Sequence, residues 1–216
     1  MQPTLRFYED MLENGAAVSL PARPRLIFVA HGSITIADRT LRDDEAFGGE
    51  GEARVKARQG GATLWRWELT TGDGGTVKAD GIVSREKLAA HLDTLPKGQL
   101  LLRGDSVAFP PGGCAYLHRH QGPGIRCLIE GGLRIDSGGR STSYAAGGAW
   151  YESGPEPVFA QAADRPTRLI RVMLLPRSYL GKSSVEYLRE EDKAKPKTQT
   201  YKIYADLPIT FVAASA

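Results

Sequence analysis

The stretch PPGGCAYLHRHQGPGIRC, Pro110 to Cys127, decides how the chain is read, because it sets His118 and His120 one residue apart in a run of strand-forming residues. Side chains at i and i+2 of a β-strand leave the same face, so both imidazoles can enter one interior while Arg119 points away. Two imidazoles on one face make half of a metal site. Tyr116 stands in phase with His118 and offers a hydroxyl to the same interior.

Outward from this stretch the pattern is mainly one of short strands. QLLLRGDSVAF, GIRCLIEGGLRID, SYAAGGAWYE, PVFAQA and TRLIRVMLLP flank it, while RLIFVAHGSITIA (25–37) and ATLWRWELT (62–70) carry the same signal in the first half. Between these last two, Gly48, Gly49, Gly51, Gly60 and Gly61 supply turn conformations to short strands joined by tight loops. SREKLAAHLDTLPKG predicts the one helix, capped by Ser84, with Leu88, Leu92 and Leu95 on one face, His91 partly exposed on it, and Pro96 as its end. The mixed-charge segment from Lys182 to Lys197 lacks a continuous apolar face and is expected to be peripheral, and the chain then closes with a further strand. The halves read as versions of one unit: LIFVAHGSITIADRTL parallels CLIEGGLRIDSGGRSTSY, with LWRWEL and LIRVMLL as equivalent closing strands.

Composition narrows the classes. A chain of 216 residues with 25% charged and 41% apolar residues can bury one large β domain or two small ones. No apolar run approaches the ~20 residues that span a bilayer, and acidic residues fill the N-terminus where a signal peptide needs an apolar core, so a cytoplasmic location is expected. Cys114 and Cys127 lack zinc spacing and are too few for a disulfide framework, which makes them reduced packing residues. The net charge of +3 comes without a basic block, against nucleic acid as a partner.

Gly112, five residues, then His118-Arg119-His120, followed by a Gly-flanked strand pair ending at LIEGGLRI, resembles the first motif of the cupin superfamily. GGAWYESGPEPVFA resembles the second motif. The resemblance implies an all-β bicupin: two double-stranded β-helix (jelly-roll) barrels in one chain with one short linking helix. The expected division is a degenerate N-terminal barrel over 1–83, a linking helix over 84–97, a C-terminal barrel carrying His-x-His over 98–176, and an extension over 177–216.

This sequence departs from the family at two ligand positions. The motif's Glu falls on Gly124 or Ile125, and the second motif's His falls on Val158 or Phe159. Glu152, in WYESG, is the carboxylate the resemblance places beside the histidines, whereas Gln121 is a poor ligand and Glu130 falls at a turn. A site of His118, His120 and Glu152 would suit a divalent metal, Fe, Mn, Ni or Zn. If Gly124 is the lost Glu position, Arg126 points inward two residues on and either pairs with Glu152, anchors a ligand carboxylate or makes a salt bridge on the barrel rim, with Tyr116 as a further substrate-binding group or a packing residue. His31 is expected at the surface, leaving the first barrel without a metal site. Two functions follow: a metal-dependent enzyme of dioxygenase or isomerase type acting on a small organic acid, or a non-catalytic cupin that is a metal-free ligand-binding or structural module. A homodimer is expected in either case, since edge strands of small barrels need cover.

Overall fold

The computed structural model describes residues 2–72 and 74–211. The chain divides into two compact units, one formed by the residues up to Asp93 together with those from Ile209 onward, the other by Thr94–Pro208. Each is a jelly-roll β-barrel. No helix among the described residues is long and apolar enough to cross a membrane.

The first unit contains β1 (Pro3–Leu12), β2 (Ala17–Leu20), β3 (Arg25–Ile36), β4 (Arg39–Arg42), β5 (Ala46–Gly49), β6 (Ala53–Thr71) and β7 (Ile82–His91). Their order is β4-β3-β6-β1-β7, with β2 on β6 and β5 on β3. The apolar halves of β3 and β6 pair with each other and bury Ile27, Val29, Ile34, Val55 and Leu64. Gly60 and Gly61 were expected to make turns, yet β6 runs straight through them. Both keep positive φ (92° and 78°), and the strand absorbs them as irregularities opposite Gly32.

The segment expected as a linking helix is β7. It lies antiparallel along β1 from Thr4↔His91 to Leu12↔Ile82, and Ser84 donates its hydroxyl to Asp10 instead of capping a helix. The leucine spacing is helical, but β1 would otherwise leave a row of unpaired peptide groups, and pairing overrides propensity. His91 accordingly sits on a strand, its Nδ1 3.0 Å from Thr4 Oγ1.

The second unit contains β8 (Leu100–Phe109), β9 (Cys114–His120), β10 (Gly124–Glu130), β11 (Gly132–Ser137), β12 (Arg140–Ala145), β13 (Ala149–Glu152), β14 (Val158–Ala162), β15 (Thr167–Pro176), β16 (Val185–Tyr187), α1 (Glu190–Ala194) and β17 (Thr200–Ile209). Two five-stranded sheets, β13-β10-β15-β8-β17 and β12-β11-β14-β9-β16, enclose the core. That core is Val107, Phe109, Leu128, Leu133, Ile135, Trp150, Val158 and their neighbours. Among the described residues one short α-helix is present, as expected, but it is α1, and a single 3-10 turn spans Arg177–Tyr179. The Lys182–Lys197 segment is not peripheral throughout: β16 pairs with β9, Val185↔His120 and Tyr187↔His118, and Ser184 and Asp192 are buried. Its short apolar residues close the open edge of the histidine strand, which a search for a long apolar face overlooks.

Candidate functional site

The histidines come from one sheet of the second unit and the charged groups from the other. On the charged sheet Trp150, Arg126, Arg171 and Asp105 stand side by side across β13, β10, β15 and β8. Two arginines in adjacent register repel unless each has its own carboxylate. Arg171 takes Asp105, with Nε to Oδ1 at 2.6 Å and Nη2 to Oδ2 at 2.9 Å. Arg126 reaches one row along, where Gly124 leaves room. Its Nη1 donates to the Gly124 carbonyl at 2.7 Å, and its Nη2 lies 2.8 Å from Glu152 Oε2.

Gly124 is essential to this arrangement. A Cβ there would stand 2.4 Å from the Val172 carbonyl oxygen and 3.0 Å from Arg126 Nη1. A side chain at this position would therefore meet both the neighbouring strand and the Arg126 guanidinium.

Facing this row, His118 and His120 are both buried, their Nε2 atoms 3.2 Å apart and their rings edge to face. His118 Nδ1 is 2.7 Å from the Tyr116 carbonyl, which fixes its proton on Nδ1 and leaves Nε2 as an acceptor. Burial lowers the pKa of His118 and pushes that of His120 well below the ordinary histidine range; for His120 the guanidiniums of Arg126 and Arg171 add to burial. Both are therefore neutral, and the 3.6 Å approach of His120 Nε2 to Glu152 Oε2 is no ion pair.

Tyr116 does not enter the pocket. Between the Val158↔His118 and Ala160↔Ala115 pairs β9 carries one extra residue, so the phase flips and Ala115, rather than Tyr116, shares the inner face with His118. The Tyr116 ring instead faces the ammonium groups of Lys195 and Lys197. Gln121 turns outward to Glu186, and Glu130 ends β10 beside Arg168. His31 is exposed, 3.7 Å from Asp43. Neither Cys114 nor Cys127 forms a disulfide among the described residues.

The groups meet around a cavity of about 30 Å³, room for one or two waters, lined by His118, Arg126, Glu152 and Arg171 over a floor that includes Val107, Phe109 and Leu133. Val185 and Tyr201, both from the C-terminal extension, complete its wall. Three of the buried polar atoms that lack a well-directed hydrogen bond among the described residues belong to this group: Arg126 Nη2, Glu152 Oε2 and His120 Nδ1. The first two face each other at ion-pair distance but off-line for a hydrogen bond. Glu152 Oε1, by contrast, accepts from Trp150 Nε1 at 2.8 Å.

Asp105, Arg171, Trp150 and Tyr201 were not anticipated. A signal existed for two of them: Asp105 in QLLLRGDSVAF and Arg171 in TRLIRVMLLP are charges inside otherwise apolar strands, and such charges require partners.

Metal fit can be judged from the donor set. Two nitrogens held by one ion at about 2.0–2.1 Å stand roughly 3 Å apart, so the histidine pair has a metal's bite. The remainder does not fit. Arg126 holds the carboxylate, Val158 stands opposite His118, and two guanidiniums oppose a further cation. Among the described residues no three His, Cys, Asp or Glu side chains gather as a metal site.

No protein-family model matches the sequence, and no curated protein is detectably similar to it. Solved structures do match. The oxalate decarboxylase of Lactobacillus farciminis, in a formate complex, is similar at 13% identity over 88% of this chain and 82% of that one, with a TM-score of 0.63. AerE from Microcystis aeruginosa is similar at 14% identity, 80% and 88% coverage and a TM-score of 0.59. The salicylate 1,2-dioxygenase of Pseudaminobacter salicylatoxidans is similar at 12% identity, 79% and 70% coverage and a TM-score of 0.56.

Proposed function

We propose, for a chain that has the cupin fold in two barrels, that the C-terminal barrel binds the acid group of a small organic acid against the paired side chains of Arg126 and Glu152 and does so without a metal. The carrying observation is the unsatisfied pair itself. Arg126 Nη2 offers a donor and Glu152 Oε2 an acceptor, side by side, on the wall of a cavity that admits two or three heavy atoms. A carboxylic acid presents the complement, a carbonyl oxygen beside an O–H. Charge favours the neutral acid over its anion. Arg126 and Arg171 are already balanced by Glu152 and Asp105, the histidines are neutral, and one more buried negative charge would be unpaired.

The test is the shift in melting temperature of chelator-treated protein with acetate, propionate and the corresponding alcohols. The acids should stabilise wild type, increasingly at lower pH, and should not stabilise Glu152→Gln, whose amide presents a donor where the acid's hydrogen must go. Equal stabilisation by acids and alcohols would overturn the reading.

A second reading, a divalent Fe, Mn, Ni or Zn ion on His118 and His120, is supported by their 3.2 Å separation. It requires Glu152 to leave Arg126. Metal content after purification without an affinity tag, compared between wild type and His118→Ala, separates the two. The neighbours named as enzymes extend no particular reaction to this chain. We also propose a homodimer, supported by the apolar residues exposed on β17.

A further inference from the structure

The cavity beside the histidines shares Ile135, Trp150, Glu152 and Val158 with a second space, an open cleft of about 200 Å³. The same four side chains line both, so the two spaces adjoin. Glu152 marks the junction, with Oε1 tied to Trp150 and Oε2 turned to Arg126 and lacking a directed hydrogen bond.

The cleft differs from the cavity in chemistry. Tyr144 stacks on Trp150, ring centroids 4.5 Å apart, and extends its aromatic wall outward. Ser137, Thr142 and Ser153 add hydroxyls, while Arg140 and Glu156 bring opposite charges. Ser137 is engaged, donating to the Pro157 carbonyl at 2.8 Å. The side chains of Arg140 and Thr142 make no hydrogen bond or ion pair among the described residues. A wall bearing both a guanidinium and a carboxylate has no net preference for a charged group. It suits hydroxyls, which donate and accept at once.

We propose that cavity and cleft are two ends of one site whose ligand is a hydroxylated organic acid of sugar-acid type. Its acid group enters the cavity at Arg126 and Glu152, and its hydroxylated body lies in the cleft along Tyr144, within reach of Arg140 and Thr142. This rests on the reading that the cavity takes an acid, and it adds the identity of the remainder of the ligand.

Calorimetric titration of the full chain with D-glucuronate, glucose and acetate tests it, on wild type and on the Arg140→Ala/Thr142→Val double variant. Both positions are exposed, so the variant should fold as wild type does. Wild type should bind glucuronate about tenfold or more tighter than acetate, the gain expected from one or two added hydrogen bonds to a charged or hydroxyl group. The double variant should lose that advantage and keep its acetate affinity. Should acetate bind and glucuronate show no advantage, or should the advantage survive the double substitution, this inference is overturned and the acid site stands. Failure of both acids to bind wild type, or glucose binding as tightly as glucuronate, overturns the acid site itself and this inference with it.

Discussion

His120 is opposed in gaining a proton first by burial and then by two guanidiniums, and His118 by burial as well. An unfolded histidine titrates near 6.5. With both folded values lowered, the stability they contribute is complete above that pH and is lost as pH falls from about 6.5 through the folded values, by up to ~1.4 kcal/mol per pH unit for each histidine. Urea denaturation at successive pH values should show this slope in wild type and a shallower one in His120→Gln; an unchanged slope would mean that His120 is not held neutral. Arg126→Ala should cost about 3–5 kcal/mol by leaving Glu152 buried and unpaired, seen as a lower urea midpoint at constant m-value. A loss under ~1 kcal/mol would place the pair in solvent-like surroundings. Gly124→Glu, which restores the motif's missing ligand in sequence, should lower the melting temperature without raising metal content, because its Cβ meets the Val172 carbonyl. Much of this was legible locally: the i, i+2 rule brings His118 and His120 to one face, and counting from Gly124 turns Arg126 inward. Tyr116 was not legible, since one extra residue in β9 reverses a phase that alternation alone treats as continuous.

At the scale of elements, the strand runs around RLIFVAHGSITIA and TRLIRVMLLP were plain from their β-branched content, and the pairing of β3 with β6 and of β10 with β15 matches the parallel drawn between the two halves. β7 was misread because a strand at a sheet edge need not alternate cleanly: its pattern leaves Ala90 buried and most neighbours exposed, so leucine spacing was the strongest local signal. Only the need of β1 for a partner decides, and that need lies some eighty residues away in sequence. The register irregularities between β3 and β6 make a sharper prediction. Gly32 has φ +87°, and a Cβ on it would lie 2.2 Å from the Gly61 carbonyl oxygen, whereas Gly51 has open space around it. Gly32→Ala should destabilise by more than about 1 kcal/mol and Gly51→Ala by much less, measured as denaturation midpoints. Equal effects would show that the crossing of β3 and β6 tolerates a side chain.

At the scale of the whole molecule, β17 forms the end of its sheet with Tyr201 47% and Ile203 53% exposed, an edge of the kind that association covers. Sedimentation should report a dimer that Ile203→Lys converts to monomer; a wild type that stays monomeric at all concentrations would remove the dimer. The same extension closes the cavity beside the histidines through Val185 and Tyr201, a role its charge-rich sequence did not suggest. The central proposal is that the C-terminal barrel uses the Arg126–Glu152 pair to hold an acid. Its most direct test is calorimetric titration of metal-stripped protein with a small carboxylic acid in buffers of different ionisation enthalpy. We predict saturable binding at one site with uptake of one proton per acid bound, whereas heat that appears only after Mn, Fe, Ni or Zn is restored would contradict the account.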